Sequence, residues 1–397
     1  MGAATISTYH FPTKIRFGVG ARRELLGALA ALGIQRPLVV TDQDVAQLPW
    51  FSEIEASLGQ LAWETFSGVW GNPVVSQVEA GLVAYSAHDA DGIVAIGGGA
   101  PVDVAKAIAL MAYHPGHLFD YEDGASTRPI DQNIPSIVAI PTTAGTGSEV
   151  GRSAVISDDT THTKKIVFDP QLLPKVVLAD PELLLGLPAK ITAATGMDAL
   201  THLIEAFLAK GHHPLCDGIA LEGIYLVSQH LQPSVLFAQR LAAGELLSET
   251  EKTAHLEARA GMLNAAMMGA IAFQKGLGVT HSCAHALSTV CNMHHGLANA
   301  VMLPAAMRFN VEAEPDKFLR MARVVDPAAS SGVVLIDWIV ALCKAIGIPP
   351  SLTAAGVSAD SIEQLVNVAI QDACHPFNPK PVTQKDFYVI YQDALAA

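Results

Sequence analysis

The chain has 397 residues, 50% of them hydrophobic and 16% charged, with a formal net charge of −14. A chain of that length and apolar content buries a large core in one to three domains, which excludes disorder as its main state. The acidic balance disfavours nucleic acid and anionic lipid as partners and points to small molecules.

The first seventeen residues show no basic segment followed by an unbroken apolar run, so no secretory signal is expected. The apolar stretch 332–349 carries Asp337 and Lys344 and reads as a core helix, not as a membrane span. The expected compartment is the cytoplasm. The five cysteines, Cys216, Cys283, Cys291, Cys343 and Cys374, are odd in number, widely spaced and without a CxxC pair, and read mostly as buried thiols.

Residues 22–32 read as helical, and the β-branched run PLVVT at 37–41 reads as the strand that follows. Further strands are expected at 92–96 and 137–140, with helical stretches between them. This alternation favours a parallel sheet covered by helices. Past residue 187 the stretches 191–208, 216–231, 249–273 and 333–346 carry helical periodicity and few strand signals. The expected organisation is an α/β N-terminal domain with a parallel sheet over 1–186, binding a dinucleotide, and an all-helical C-terminal domain over 187–397, binding a metal.

Two segments at strand ends have the composition of ligand loops. Gly97, Gly98 and Gly99 let backbone approach a pyrophosphate, and Pro101, Asp103 and Lys106 lie in the helix that follows, whose first N–H groups are free to bind phosphate oxygens. This is neither GxGxxG nor a Walker sequence. The second loop, Pro141 to Glu149, offers the hydroxyls of Thr142, Thr143 and Thr146 beside Gly147. Asp42, just past the first strand, suits an adenosine ribose diol and repels a 2′-phosphate, so NAD is expected over NADP.

Asp198 and His202 are four residues apart in a helical stretch and share one face. His281-Ser282-Cys283-Ala284-His285 and His294-His295-Gly296 form a second cluster. Together they offer a carboxylate and two or three imidazoles, enough for a divalent transition ion with an open position for substrate. Spacing alone does not choose among His281, His285, His294 and His295, and Cys283 and Cys291 are rival soft ligands.

These motifs, in this order and together with Phe17-Gly18-Val19-Gly20, Asn72-Pro73, Lys164 with Asp169-Pro170, and Gly276-Leu277-Gly278, resemble the iron-containing, or group III, alcohol dehydrogenase family. The resemblance covers nearly the whole chain and implies a dehydroquinate synthase-like fold. It implies NAD-linked interconversion of a primary alcohol and its aldehyde with Fe²⁺, Zn²⁺ being an acceptable substitute, in a homodimer or an assembly of dimers. It assigns the metal to Asp198, His202, His281 and His295, the pyrophosphate to Gly97, Gly98, Gly99 and Asp103, and further cofactor contacts to Thr142, Thr143, Thr146 and Gly147. Asp42 matches the carboxylate that favours NAD, Lys164 a lysine near the cofactor ribose, and His285 a catalytic histidine beside the nicotinamide.

The chain departs from the family pattern twice. His294 stands where a proline usually precedes the last metal-binding histidine, and reads either as an exposed side chain or as a group supporting the metal ligands. Gly151-Arg152-Ser153 replaces a common Val-Thr continuation, and Arg152 is placed to clamp a substrate carboxylate, which implies an ω-hydroxy acid such as 4-hydroxybutyrate and its semialdehyde. The alternatives are a general alcohol or polyol dehydrogenase, a hydroxyacid–oxoacid transhydrogenase, and a non-catalytic protein that binds metal and NAD.

Overall fold

The computed structural model describes residues 11, 13–161 and 163–396. They divide into two compact units, Pro12–Leu185 and Gly186–Ala397, the second also taking Phe11.

In the first unit the strands are β1 (Lys14–Phe17), β2 (Pro37–Asp42), β3 (Glu64–Val69), β4 (Gly92–Gly97), β5 (Ser136–Pro141), β6 (Ser153–Ser157), β7 (Lys164–Phe168) and β8 (Val176–Ala179). Six of them form one sheet in the order β1-β8-β5-β4-β2-β3, every neighbouring pair parallel. β6 and β7 form a separate antiparallel ribbon. β4 is buried at every residue and reads GIVAIG, the near-continuous apolar run that a strand covered on both faces requires. The helix Gly99–Met111 packs on β2, β4 and β6 and is itself buried from Pro101 to Leu110. The strands expected at 37–41, 92–96 and 137–140 are β2, β4 and β5, each longer by one or two residues.

The order of the sheet sets the chemistry. β5, β4 and β2 are neighbours, so the segments after them, Pro141 to Gly147, Gly97 to Gly99, and Asp42, emerge side by side at the carboxyl ends of parallel strands. Ligands of open α/β sheets bind at such ends.

The second unit is helical. Its centre is the helix Ala189–Leu208, which is buried over most of its circumference and packs against Pro214–Ala242, Glu249–Ala272 and His295–Asn310. Pro214–Ala242 runs past the expected end at residue 231 with Pro233 inside it; packing on the neighbouring helices outweighs the roughly 3 kcal/mol that an interior proline costs. The start of the central helix is pinned by Arg259, almost fully buried, which donates to Leu187 O at 2.9 Å and Thr192 Oγ1 at 2.7 Å. Among the described residues no helix is long and apolar enough to cross a membrane.

Candidate functional site

Four side chains of the helical unit, Asp198, His202, His281 and His295, offer ligand atoms that all lie within 4.8 Å of one another. Asp198 and His202 are presented by one face of Ala189–Leu208, His281 by Val279–Cys291, and His295 by the first position of His295–Asn310. Asp198 Oδ1 is 3.4 Å from His295 Nε2 and 3.9 Å from His202 Nε2, and the rings of His202 and His281 stack with centroids 4.8 Å apart. Small residues permit this approach. A Cβ on Gly296 would lie 2.4 Å from Ala194 O, and one on Gly269 would lie 3.1 Å from His202 Cβ.

Of the histidines that spacing could not separate, His281 and His295 join the cluster with Asp198 and His202. His294 is exposed at the start of the helix His295–Asn310. Neither Cys283 nor Cys291 belongs to the cluster, and burial raises the Cys283 thiol well above its ordinary pKa, which opposes a thiolate ligand.

Carboxylates behind the cluster set the histidine tautomers. His281 Nδ1 is 2.7 Å from Glu205 Oε2, and an ionised carboxylate only accepts, so Nδ1 carries the hydrogen and the lone pair is left on Nε2. Burial opposes the charge of Glu205, but His281 and the N–H groups of Gly278 and Thr280 outweigh it and hold its pKa below the ordinary value. The same carboxylate thereby accepts from the Gly278, Thr280 and His281 N–H groups at the start of Val279–Cys291, and Asn378 Oδ1 takes that of Val279.

His285, one helical turn from His281, stacks on His295 with centroids 5.2 Å apart, and its Nδ1 is 2.7 Å from Asp372 Oδ2. Asp372 Oδ1 accepts from Ser282 Oγ at 2.7 Å and from the Cys374 N–H at 2.9 Å. Burial works against its ionisation, yet the paired His285 and these hydrogen bonds keep the carboxyl far below its usual range. His285, Asp372 and Cys374 form a second group with metal-ligand chemistry, but both Asp372 oxygens are already engaged by donors, which makes it a hydrogen-bonded assembly around His285. Glu205, Asp372 and Asn299, which reaches Asp198, were not legible as site residues. Glu205 lies three residues beyond His202, on the same helical side, and that spacing was the one available signal for it.

In the α/β unit the three candidate loop segments are in contact. Gly97 has φ 150°, and a Cβ there would meet Pro101 at 2.6 Å and Asp42 Oδ2 at 3.4 Å. Side chains on Gly98 and Gly99 would lie 3.0 Å from Thr143 Oγ1 and 2.7 Å from Thr146 Oγ1. The glycines thus bring bare backbone against Asp42 and the two threonines. Asp42 Oδ1 accepts from the Val45 N–H at 2.7 Å, and burial raises its pKa above the ordinary value against that hydrogen bond.

Asp103 is buried. Its Oδ1 accepts from Ser148 Oγ at 2.5 Å and its Oδ2 from the Val155 N–H at 3.1 Å. Lys106, also buried, donates to Ser148 O at 2.7 Å, Ser148 Oγ at 2.9 Å and Ser153 O at 2.7 Å. These two residues fasten the helix after the glycine loop to the segment after Gly147. Thr142 is buried, with its N–H on Gly97 O at 3.0 Å, and Gly147 takes φ 64°. Lys164 is half-buried and opens β7 opposite Ser157. Arg152 lies just before β6, with its guanidinium 5.0 Å from the centroid of the Phe168 ring, and burial lowers its pKa. No carboxylate lies within 4.0 Å of it among the described residues.

The family description "iron-containing alcohol dehydrogenase" matches residues 12–181, and "Fe-containing alcohol dehydrogenase family, C-terminal" matches residues 192–395. The chain belongs to the iron-containing alcohol dehydrogenase family. As a member it is a metal- and NAD-dependent oxidoreductase acting on an alcohol or aldehyde. It is 36% identical to a 4-hydroxybutyrate dehydrogenase of Cupriavidus necator over 97% of this chain and 99% of that one. It is 33% identical to an NAD-dependent methanol dehydrogenase of Bacillus methanolicus, covering 98% of this chain and 100% of the relative. The crystal structure of a 1,3-propanediol oxidoreductase superposes with a TM-score of 0.89 at 33% identity, covering 98% of this chain and all of that one.

Proposed function

We propose that this dehydrogenase oxidises small primary alcohols with NAD⁺, and reduces the matching aldehydes, at an Fe²⁺ ion held by Asp198, His202, His281 and His295. The observation that carries the reading is the gathering of one carboxylate and three imidazoles within 4.8 Å. That set fits a divalent ion of the iron-to-zinc series: nitrogen and oxygen donors, one negative charge, and at His281 a lone pair reserved on Nε2 by the Glu205 bond. When bound, such an ion supplies Lewis acidity to the substrate oxygen, and NAD⁺ supplies the hydride acceptor.

The protein's own groups do the rest. Asp372 holds the hydrogen of His285 on Nδ1, so Nε2 is the atom that takes the alcohol proton and returns it in reduction. The glycines 97–99 and the first turn of Gly99–Met111 bind the pyrophosphate, Thr142, Thr143, Thr146, Gly147 and Lys164 complete the cofactor contacts, and Asp42 takes the ribose diol. A general small-alcohol or polyol dehydrogenase suits the range of relatives, which act on methanol, 1,3-propanediol and 4-hydroxybutyrate by their names. We further propose a cytoplasmic location and the homodimer or assembly of dimers that the family resemblance implies.

One observation favours a narrower reading. Arg152 is half-buried on the face of Phe168 with no carboxylate partner among the described residues, an arrangement suited to clamping the acid of an ω-hydroxy acid such as 4-hydroxybutyrate. The test is kcat/KM for 1-butanol, 1,3-propanediol and 4-hydroxybutyrate on protein reconstituted anaerobically with Fe²⁺, alongside Arg152→Ala. A preference for the hydroxy acid that falls at least tenfold in the variant supports the clamp. Equal values across the three, unchanged in the variant, leave the general dehydrogenase, and no turnover of any alcohol or aldehyde defeats both readings.

A further inference from the structure

Asn299 is fully buried and lies one turn after His295 on the helix His295–Asn310. Its Nδ2 is 2.7 Å from Asp198 Oδ1 and 3.3 Å from both His281 Nε2 and His295 Nε2. One amide nitrogen thus touches ligand atoms carried by three helices. Chemistry fixes its orientation: the ionised Asp198 only accepts, so the atom nearest it is the nitrogen. The other half of the amide, Oδ1, is buried without a hydrogen-bond partner. Buried polar atoms are ordinarily paired, and a leucine of similar volume fills such a space without leaving an orphan. The amide is therefore present for its N–H bonds and not for packing.

We infer that Asn299 is a positioning residue for the metal, holding Asp198 by Oδ1, the oxygen that also faces His202 Nε2 and His295 Nε2, so that the carboxylate stays turned toward the cluster. This rests on the reading that the four side chains bind a metal. Without an ion, three imidazoles and a carboxylate crowd electron-rich atoms together, and the amide hydrogens of Asn299 face Asp198 Oδ1 and the Nε2 atoms of His281 and His295. When an ion is bound, the lone pairs of His281 and His295 belong to it, and the amide keeps Asp198. Removing the amide frees the carboxylate to rotate, and the ion loses a pre-set ligand.

The test is Co²⁺ binding to metal-stripped full-length protein, followed by the visible absorption of the bound ion in competition with a chelator. Asn299→Leu is expected to weaken Kd about 10- to 100-fold, while NAD binding and far-ultraviolet circular dichroism remain those of the wild type. Asn299→Asp, of the same shape but without the donor, sets a second carboxylate against Asp198. The melting temperature of its ion-free form is expected to fall, and the rise on adding Co²⁺ to exceed that of the wild type. This variant keeps the inference testable if the leucine does not fold. Binding by Asn299→Leu within twofold of wild type, or an unchanged cobalt-induced melting shift in Asn299→Asp, overturns the role of Asn299 alone. A wild-type protein that binds no Co²⁺, or binds it equally after Asp198→Ala, overturns the metal reading and this inference together.

Discussion

At the scale of single residues, the site depends on partners that hold its histidines. The Asp372 carboxylate, engaged by Ser282, the Cys374 N–H and His285, fixes which His285 nitrogen carries the hydrogen. Asp372→Asn keeps the shape but presents an amide that can face His285 with its own N–H bonds, so the wrong tautomer is favoured. Its kcat is expected to fall on the order of ten- to a thousandfold with KM for alcohol nearly unchanged, because proton transfer is impaired and substrate binding is not. An equal loss in an Asp372→Glu variant, or a loss confined to KM, would argue for packing alone. The pair Asp198 and His202 was legible in sequence because four-residue spacing is a local property of a helix. Spacing does not choose His281 and His295 over His285 and His294, since that depends on where two other helices begin; in the sequence only the family resemblance makes that choice.

At the scale of elements, the helix Ala189–Leu208 must be held at its start for Asp198 and His202 to meet the others. Arg259 does this, and its Nε also donates to His255 Nε2 at 3.1 Å, which requires His255 to be uncharged. Burial, and then the charge of Arg259, push the His255 pKa down to about 4 from the ordinary 6.5. The unfolded chain therefore binds a proton that the folded chain refuses between these values. Stability from this group is complete above pH 6.5 and falls as pH drops toward 4, by at most about 3 kcal/mol. Urea denaturation of wild type and His255→Gln at pH 7 and pH 5 checks this: the variant should lose less on acidification, and parallel losses would exclude His255 as the cause. The same scale governs the cofactor loops. Gly99→Ala places a Cβ 2.7 Å from Thr146 Oγ1, so the two loops must part. NAD⁺ affinity by fluorescence titration is expected to weaken about tenfold or more, and an affinity equal to wild type would show that this contact yields freely.

At the scale of the whole molecule, every side chain of the candidate metal cluster belongs to Gly186–Ala397 and every cofactor-loop residue to Pro12–Leu185. An ion that binds only the folded state adds RT ln(1 + [L]/Kd), about 4 kcal/mol at a thousandfold excess over Kd. Stripping the ion is expected to lower the melting temperature and to raise amide exchange in the helices Ala189–Leu208, Val279–Cys291 and His295–Asn310, while β4 and β5 exchange as before. Exchange by mass spectrometry with and without chelator reads this directly, and a uniform rise in both units would count against a local metal effect. The parallel sheet and the helical unit were legible because β-branched runs and 3.6-residue periodicity record burial residue by residue. The long helix Pro214–Ala242 extends beyond the periodic stretch 216–231 and continues through Pro233, where packing against the neighbouring helices carries it.

The sequence by itself determined the fold class, the two loop compositions at strand ends and the helical pair Asp198 and His202, since all of these are written in local patterns. Tertiary structure alone decided that β5, β4 and β2 lie side by side and that Glu205, Asp372 and Asn299 stand behind the metal cluster, and it brought His281 and His295, which the family resemblance had named, to Asp198. The physical reason is separation along the chain. Asp372 lies 87 residues from His285, and Asn299 lies 101 residues from Asp198. No periodicity records a hydrogen bond across such a distance; it exists only once the helices have packed.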